Sequence, residues 1–136
     1  MAGYSGAPLA KKLGIKPGSK VAALKAPPGY AELLAPLPLK VSFVRSVSAR
    51  VDVVHLFVST RTALASTLAR SLAHIRHDAA IWVSWPKKAS RVATDVTEDV
   101  IRAVALPMGL VDIKVCAVDD TWSGLKLVIR KENRRK

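Results

Sequence analysis

A single cysteine, Cys116, stands in the 136 residues, so no intrachain disulfide can staple the chain and its stability must come from buried apolar surface. Set between Val115 and Ala117, this thiol reads as a buried, inert side chain rather than a nucleophile. Acidic residues are scarce as well: 10 against 22 lysines and arginines, a formal net charge of +12 that favours anionic partners by long-range attraction. Part of the excess belongs to the tail Arg130 to Lys136, where solvation alone accounts for it. Long apolar runs are missing too. Val53 to Val58 is interrupted by His55 and is far shorter than a bilayer span, and the amino terminus carries no long apolar core, so the expectation is a soluble, cytoplasmic protein with no membrane partner.

Motifs of known chemistry are also lacking. The three histidines, at 55, 74 and 77, have no cysteine or carboxylate set at metal-ligand spacing, so no metal site is expected. There is no Gly-x-Ser-x-Gly elbow, no phosphate-cradling glycine loop with its lysine, and no Cys-His pair. No catalytic residue can be named, and the enzyme reading has little to stand on.

What the sequence does hold is a regular alternation of elements. The stretch Ile81-Trp82-Val83-Ser84-Trp85-Pro86-Lys87-Lys88-Ala89-Ser90 marks the pivot: an apolar run too short for a helix passes into proline, two lysines and serine. A buried strand over 79–84 ending this way puts polar groups at its carboxyl end, where open α/β sheets bind ligands. Before it, Ala7 to Leu13 reads as a short amphipathic helix, Lys20 to Lys25 encloses a first strand, Tyr30 to Leu34 a helix, and Val41 to Val44 a second strand. Val51 to Val58 is apolar almost without alternation, as in a central parallel strand covered on both faces. Ser59 or Thr60 caps a helix carrying Leu64, Leu68, Leu72 and Ile75. After the pivot, Asp95 with Glu98 suggests a capping pattern for a helix to about Ala105. Val111 to Val118 and Leu125 to Arg130 then form a closing hairpin, the latter alternating Leu125, Leu127 and Ile129 with Lys126, Val128 and Arg130. The class is α/β: one three-layer domain of about six strands, mainly parallel, with an antiparallel last strand.

Four loops should lie at the carboxyl ends of the parallel strands: Ala26 to Tyr30, Ser59 to Arg61, Ser84 to Ser90 and Asp119 to Ser123. They supply the candidate ligand-binding residues Tyr30, Arg61, Trp85, Lys87, Lys88, Asp119, Asp120 and Trp122. Cations beside aromatic rings suit a phosphate or nucleotide. The competing reading has Trp85 and Trp122 covering the ends of the core while Lys87 and Lys88 pair with Asp119 and Asp120.

Element order and the terminal hairpin resemble the Rossmann-like class I methyltransferase fold, with Lys16-Pro17-Gly18-Ser19-Lys20-Val21 looking like the lead into its first strand. The resemblance implies the sheet order second, first, third, fourth, last, fifth. It also implies a crevice between the first and third strands, bordered by Ala26 to Tyr30 and by Ser59, Thr60 and Arg61. The departures concern the cofactor. Where that family has a glycine-rich turn, this chain has Ala26-Pro27-Pro28-Gly29, and where it has an acidic residue for the ribose, this chain has Val44 and Arg45. No cofactor is expected, S-adenosylmethionine included. The motifs Tyr4-Ser5-Gly6 with Pro8 to Ile15, Ser84 to Ser90, and Thr121 to Val128 are similar to those of an uncharacterised family of small bacterial proteins, a domain of unknown function.

The expectation is thus a single Rossmann-like domain over 1–130, with 1–15 as a lead-in helical segment and 131–136 as a basic tail. It would be a non-catalytic binding or regulatory module for an anionic or nucleotide-like ligand or a protein partner. The alternatives are a degenerate S-adenosylmethionine-dependent methyltransferase and a nucleic-acid binder acting through its basic surface.

Overall fold

The computed structural model describes residues 8–133. The motif around Tyr4, the start of the first helix at Ala7 and the tail residues Arg134 to Lys136 lie outside the described residues. Six strands form one sheet: β1 (Lys20–Leu24), β2 (Ser42–Val44), β3 (Val53–Phe57), β4 (Ala80–Pro86), β5 (Leu110–Ala117) and β6 (Trp122–Ile129), in the order β2-β1-β3-β4-β6-β5. The pairs β1·β2, β1·β3 and β3·β4 are parallel, whereas β6 runs antiparallel to both β4 and β5. The expected topology therefore holds: a short tight link forces β5 and β6 into a hairpin, helices lie in the crossovers from β1 to β2, β3 to β4 and β4 to β5, and a helix-free link carries the chain from β2 past β1 to β3.

All five residues of β3 are buried, which explains its unbroken apolar run. The helices α3 (Arg61–Leu72) and α4 (Glu98–Ala105) cover one face, packing Leu64, Leu68, Ile101 and Val104 against Val54, Leu56, Ile81, Val83 and Leu125. On the other face α1 (Leu9–Lys12) and α2 (Tyr30–Leu34) lay Leu13, Tyr30 and Leu34 among Val53, Phe57 and Trp82. Trp82 is fully enclosed, and its Nε1 donates to the Leu13 carbonyl at 3.0 Å, so the largest core side chain also anchors the turn after α1. Opposite Ser84 on β6 stands Gly124, where a Cβ would come within 3.2 Å of the Trp82 ring and 3.4 Å of Ser84 Oγ, so a side chain there would press on Trp82.

Local chemistry corrects several expected boundaries. Asp95 does not cap α4: Thr97 does, its side chain accepting from Val100 N at 3.2 Å, while Asp95 Oδ1 accepts from Arg61 N at 2.7 Å. Asp95 thus serves the amino end of α3 from 34 residues away, beside Thr60, which accepts from Ala63 N. The pivot strand runs on through Trp85 and Pro86, because their register partners Ser123 and Trp122 continue β6 three residues earlier than alternation suggested. The carboxyl segment 131–133 forms a short 3-10 turn, with Asn133 Nδ2 donating to the Gly109 carbonyl at 3.4 Å.

Two arginine networks fasten the periphery. Arg102 on α4 reaches Glu98, Asp99 and Asp112, the last at 3.0 Å, tying that helix to β5. Arg76 bridges Asp52 at 2.5 Å and Asp78 at 2.6 Å at the amino end of the sheet. Among the described residues no helix is long and apolar enough to cross a membrane.

Candidate ligand-binding site

Gly29 sits at φ +81° as the residue before α2, a left-handed conformation that a side chain would strain, and it turns the chain so that Tyr30 points down onto the sheet. The Tyr30 hydroxyl lies 2.7 Å from His55 Nδ1, and His55 Nε2 lies 2.6 Å from Ser84 Oγ. A neutral imidazole has one donor and one acceptor, so one of the two hydroxyls accepts from it and the other donates to it. Burial holds His55 far below the ordinary histidine range, at about 3, and pushes the Tyr30 hydroxyl up. Around this chain of polar groups His55 stacks on Phe57 with ring centroids 4.4 Å apart, Tyr30 meets Phe57 edge-on at 5.6 Å, and Phe57 meets Trp122 at 5.0 Å. The rings and the imidazole fill the α2 side of the β1/β3 switch point.

The eight residues expected to converge are divided by the sheet. Tyr30 and Trp122 share the α2 side with Phe57 between them, while Trp85 is buried on the α3 and α4 side. Arg61 is exposed at the start of α3, its backbone N–H used by Asp95. Asp119 is consumed by the hairpin turn, where Oδ1 accepts from Thr121 N and Trp122 N at 2.8 Å each. Lys88 and Asp120 are exposed, and among the described residues Lys87 and Lys88 form no ion pair with Asp119 or Asp120. The strand-four loop is joined to the hairpin by backbone instead, Lys87 N donating to the Thr121 carbonyl at 2.8 Å.

A different cavity opens on the α3 side, at the carboxyl ends of β1 and β2, with a volume of about 550 Å³. Lys25 and Arg45 close it from the two strands, and Thr67, Arg70, Ser71 and His74 line it from α3 and the turn after it. No carboxylate lines it. Its size falls within the usual span for small-molecule sites, roughly 300–1,000 Å³. Lys25 holds φ +61°, a left-handed backbone outside glycine. Of these residues, the sequence singled out Arg45, at the place where a ribose-binding acid was missing. The helix stripe had a readable signal: residues 67, 70, 71 and 74 recur at helical spacing as a polar face beside the apolar one formed by Leu64 and Leu68. Lys25 had none, because only the chain crossing from β1 to β2 brings it opposite α3. Among the described residues no group of histidines, cysteines or acids could hold a metal.

No protein-family model matches the sequence, and no curated protein matches it. Solved structures do match in fold. A SAM-dependent methyltransferase from Aquifex aeolicus superposes with a TM-score of 0.59 at 13% identity, covering 90% of this chain and 88% of that one. A candidate type 11 methyltransferase from Sulfolobus solfataricus gives 0.62 at 11% identity over 100% of this chain and 98% of its own. TrmN from Thermus thermophilus gives 0.57 at 13% identity, and the present chain spans only 47% of it. The protein therefore has the Rossmann-like fold of class I methyltransferases. At such identities the likeness is one of architecture.

Proposed function

We propose that this protein is a non-catalytic Rossmann-like binding module that takes an anionic, nucleotide-like small molecule in the cavity between β1, β2 and α3. The observation that supports this reading is the lining itself: Lys25, Arg45 and Arg70 converge on one 550 Å³ space with the hydroxyls of Thr67 and Ser71 and with no acid. Guanidinium groups and an ammonium arranged this way suit phosphate oxygens through charge-assisted hydrogen bonds. The left-handed Lys25 adds weight, since strained backbone tends to persist where a site needs it.

The fold favours a second reading, an S-adenosylmethionine-dependent methyltransferase. Two features of this chain oppose it. Pro27 and Pro28 remove two backbone donors from the turn after β1, and the cations lining the cavity repel a cofactor whose sulfonium and ammonium outnumber its single carboxylate. Calorimetric titration with ADP, inorganic pyrophosphate and S-adenosylmethionine separates the readings. Binding of ADP or pyrophosphate that weakens in Arg45→Ala and Arg70→Ala is the expected result. Low-micromolar binding of S-adenosylmethionine with neither anion bound would overturn it.

A further inference from the structure

On the opposite side of the sheet, the β5/β6 hairpin carries a second basic surface. Lys114 and Lys126 are direct cross-strand partners, a like-charge pairing that disfavours the sheet. Lys126 also stands opposite Trp82 on β4, and its Nζ reaches within 3.9 Å of the place a Cβ on Gly14 would take, alongside the turn after α1. Lys16 from that turn and Lys126 line one shallow hollow of about 300 Å³. The carboxylates in the hollow, Asp52 and Asp78, are both engaged by Arg76, and among the described residues none pairs with Lys16, Lys114 or Lys126. Burial, then the charges of Lys114 and Lys16, hold Lys126 below the ordinary lysine range. Lys12 on α1 continues the series: burial pushes the Cys116 thiol up, while Lys12 and Lys114 both pull it down.

We infer that Lys16, Lys114 and Lys126, with Lys12 beside them, form a binding face for the phosphodiester backbone of a nucleic acid. The amines come from three separate segments and run across the β5/β6 pair to the turn after α1, a spread that suits a string of phosphates better than one small anion. A chain with a net charge of +12 adds long-range attraction, and nothing on the strip is placed to read bases, so binding is sequence-independent. A lipid surface would call for apolar side chains that insert beside the lysines. Ile113 and Val115 are both exposed on β5, but Val115, next to Lys114 in the strand, alternates to the other face, which leaves only Ile113 at the bulge beside the lysines.

The test is fluorescence anisotropy of a labelled mixed-sequence RNA of about twenty nucleotides, and of the matching DNA duplex, at salt from about 50 to 200 mM. Inorganic phosphate and phosphatidylserine vesicles serve as the other probes. The double variant Lys114→Ala/Lys126→Ala is expected to lose about ten-fold or more in affinity at low salt and to show a salt slope shallower by roughly two. Its melting temperature should not fall, because a repulsion has been removed. Lys114→Arg/Lys126→Arg keeps the charge and should keep the affinity. The inference is overturned if the wild type binds neither RNA nor DNA, or if the alanine variant binds with unchanged affinity and slope. It is also overturned if vesicles bind where nucleic acid does not, or if Lys25→Ala alone abolishes binding, since that would place the nucleic acid on the cavity side.

Discussion

The hydroxyl of Tyr30 and Nδ1 of His55 meet at 2.7 Å inside the sheet's α2 side, joining the first residue of a short helix to the middle of the most buried strand. The contact makes the loop after β1 part of the core. Tyr30→Phe leaves one buried imidazole nitrogen without its partner, so a loss of about 1–3 kcal/mol is expected. Chemical denaturation with an unchanged slope against denaturant checks it; a midpoint equal to that of the wild type would show that the hydroxyl contributes nothing.

His55 also makes stability depend on pH. In the unfolded chain it takes up a proton near 6.5, whereas in the fold it resists protonation down to about 3. Between those values the unfolded state binds more protons, so stability falls as pH falls, by at most about 1.4 kcal/mol per pH unit from this group. Melting temperatures between pH 7 and 5, above the range where carboxylates titrate, should decline in the wild type and flatten in His55→Leu, whatever that variant's absolute stability. Asp52 acts in the same direction at lower pH. Burial works against its charge, but the Lys20 N–H and Arg76 prevail and hold its carboxyl below the usual range, so its contribution is lost on acidification.

Lys25 offers a variant in which stability and binding move oppositely. Lys25→Gly relieves a left-handed backbone and is expected to raise stability by about 1 kcal/mol. It removes a cation from the cavity at the same time, so ADP or pyrophosphate should bind several-fold more weakly. A variant that melts higher and binds as tightly would exclude Lys25 from the site.

Lys87 and Lys88, lacking acidic partners in the hairpin, are not expected to support the fold. Changing both to glutamate should shift stability by no more than about 0.5 kcal/mol, the usual range for exposed positions. A large fall in the melting temperature would mean that the side chains hold the strand-four loop, in place of the Lys87 N–H to Thr121 carbonyl bond.

Helix positions and the three-layer class were legible in the sequence, because each rests on local periodicity and link length, whereas the strand order came from the resemblance to the class I methyltransferase fold. The run around Val53 to Val58 announced a strand covered on both faces, and Leu125, Leu127 and Ile129 announced a strand with one face buried. Caps were legible only in part. A side chain such as Asp95 has several backbone N–H groups within reach, and the one it serves, on Arg61, lies 34 residues back in the chain. The candidate site was less legible still. Tyr30 starts a helix, Trp85 lies near the carboxyl end of β4 and Trp122 opens β6, yet which face of the sheet each took was decided by register, since a shift of one residue reverses every side chain.

Composition alone established the basic character of this protein and its dependence on a packed core, because these are sums over residues and do not depend on arrangement. Tertiary structure decided where the charge gathers. Lys25, Arg45 and Arg70 lie far apart in sequence and meet only because β1 and β2 run parallel beneath α3. Lys114 and Lys126 face each other only because the hairpin turn sets their register, and electrostatic interaction depends on distance in space, which the order of residues along a chain does not contain.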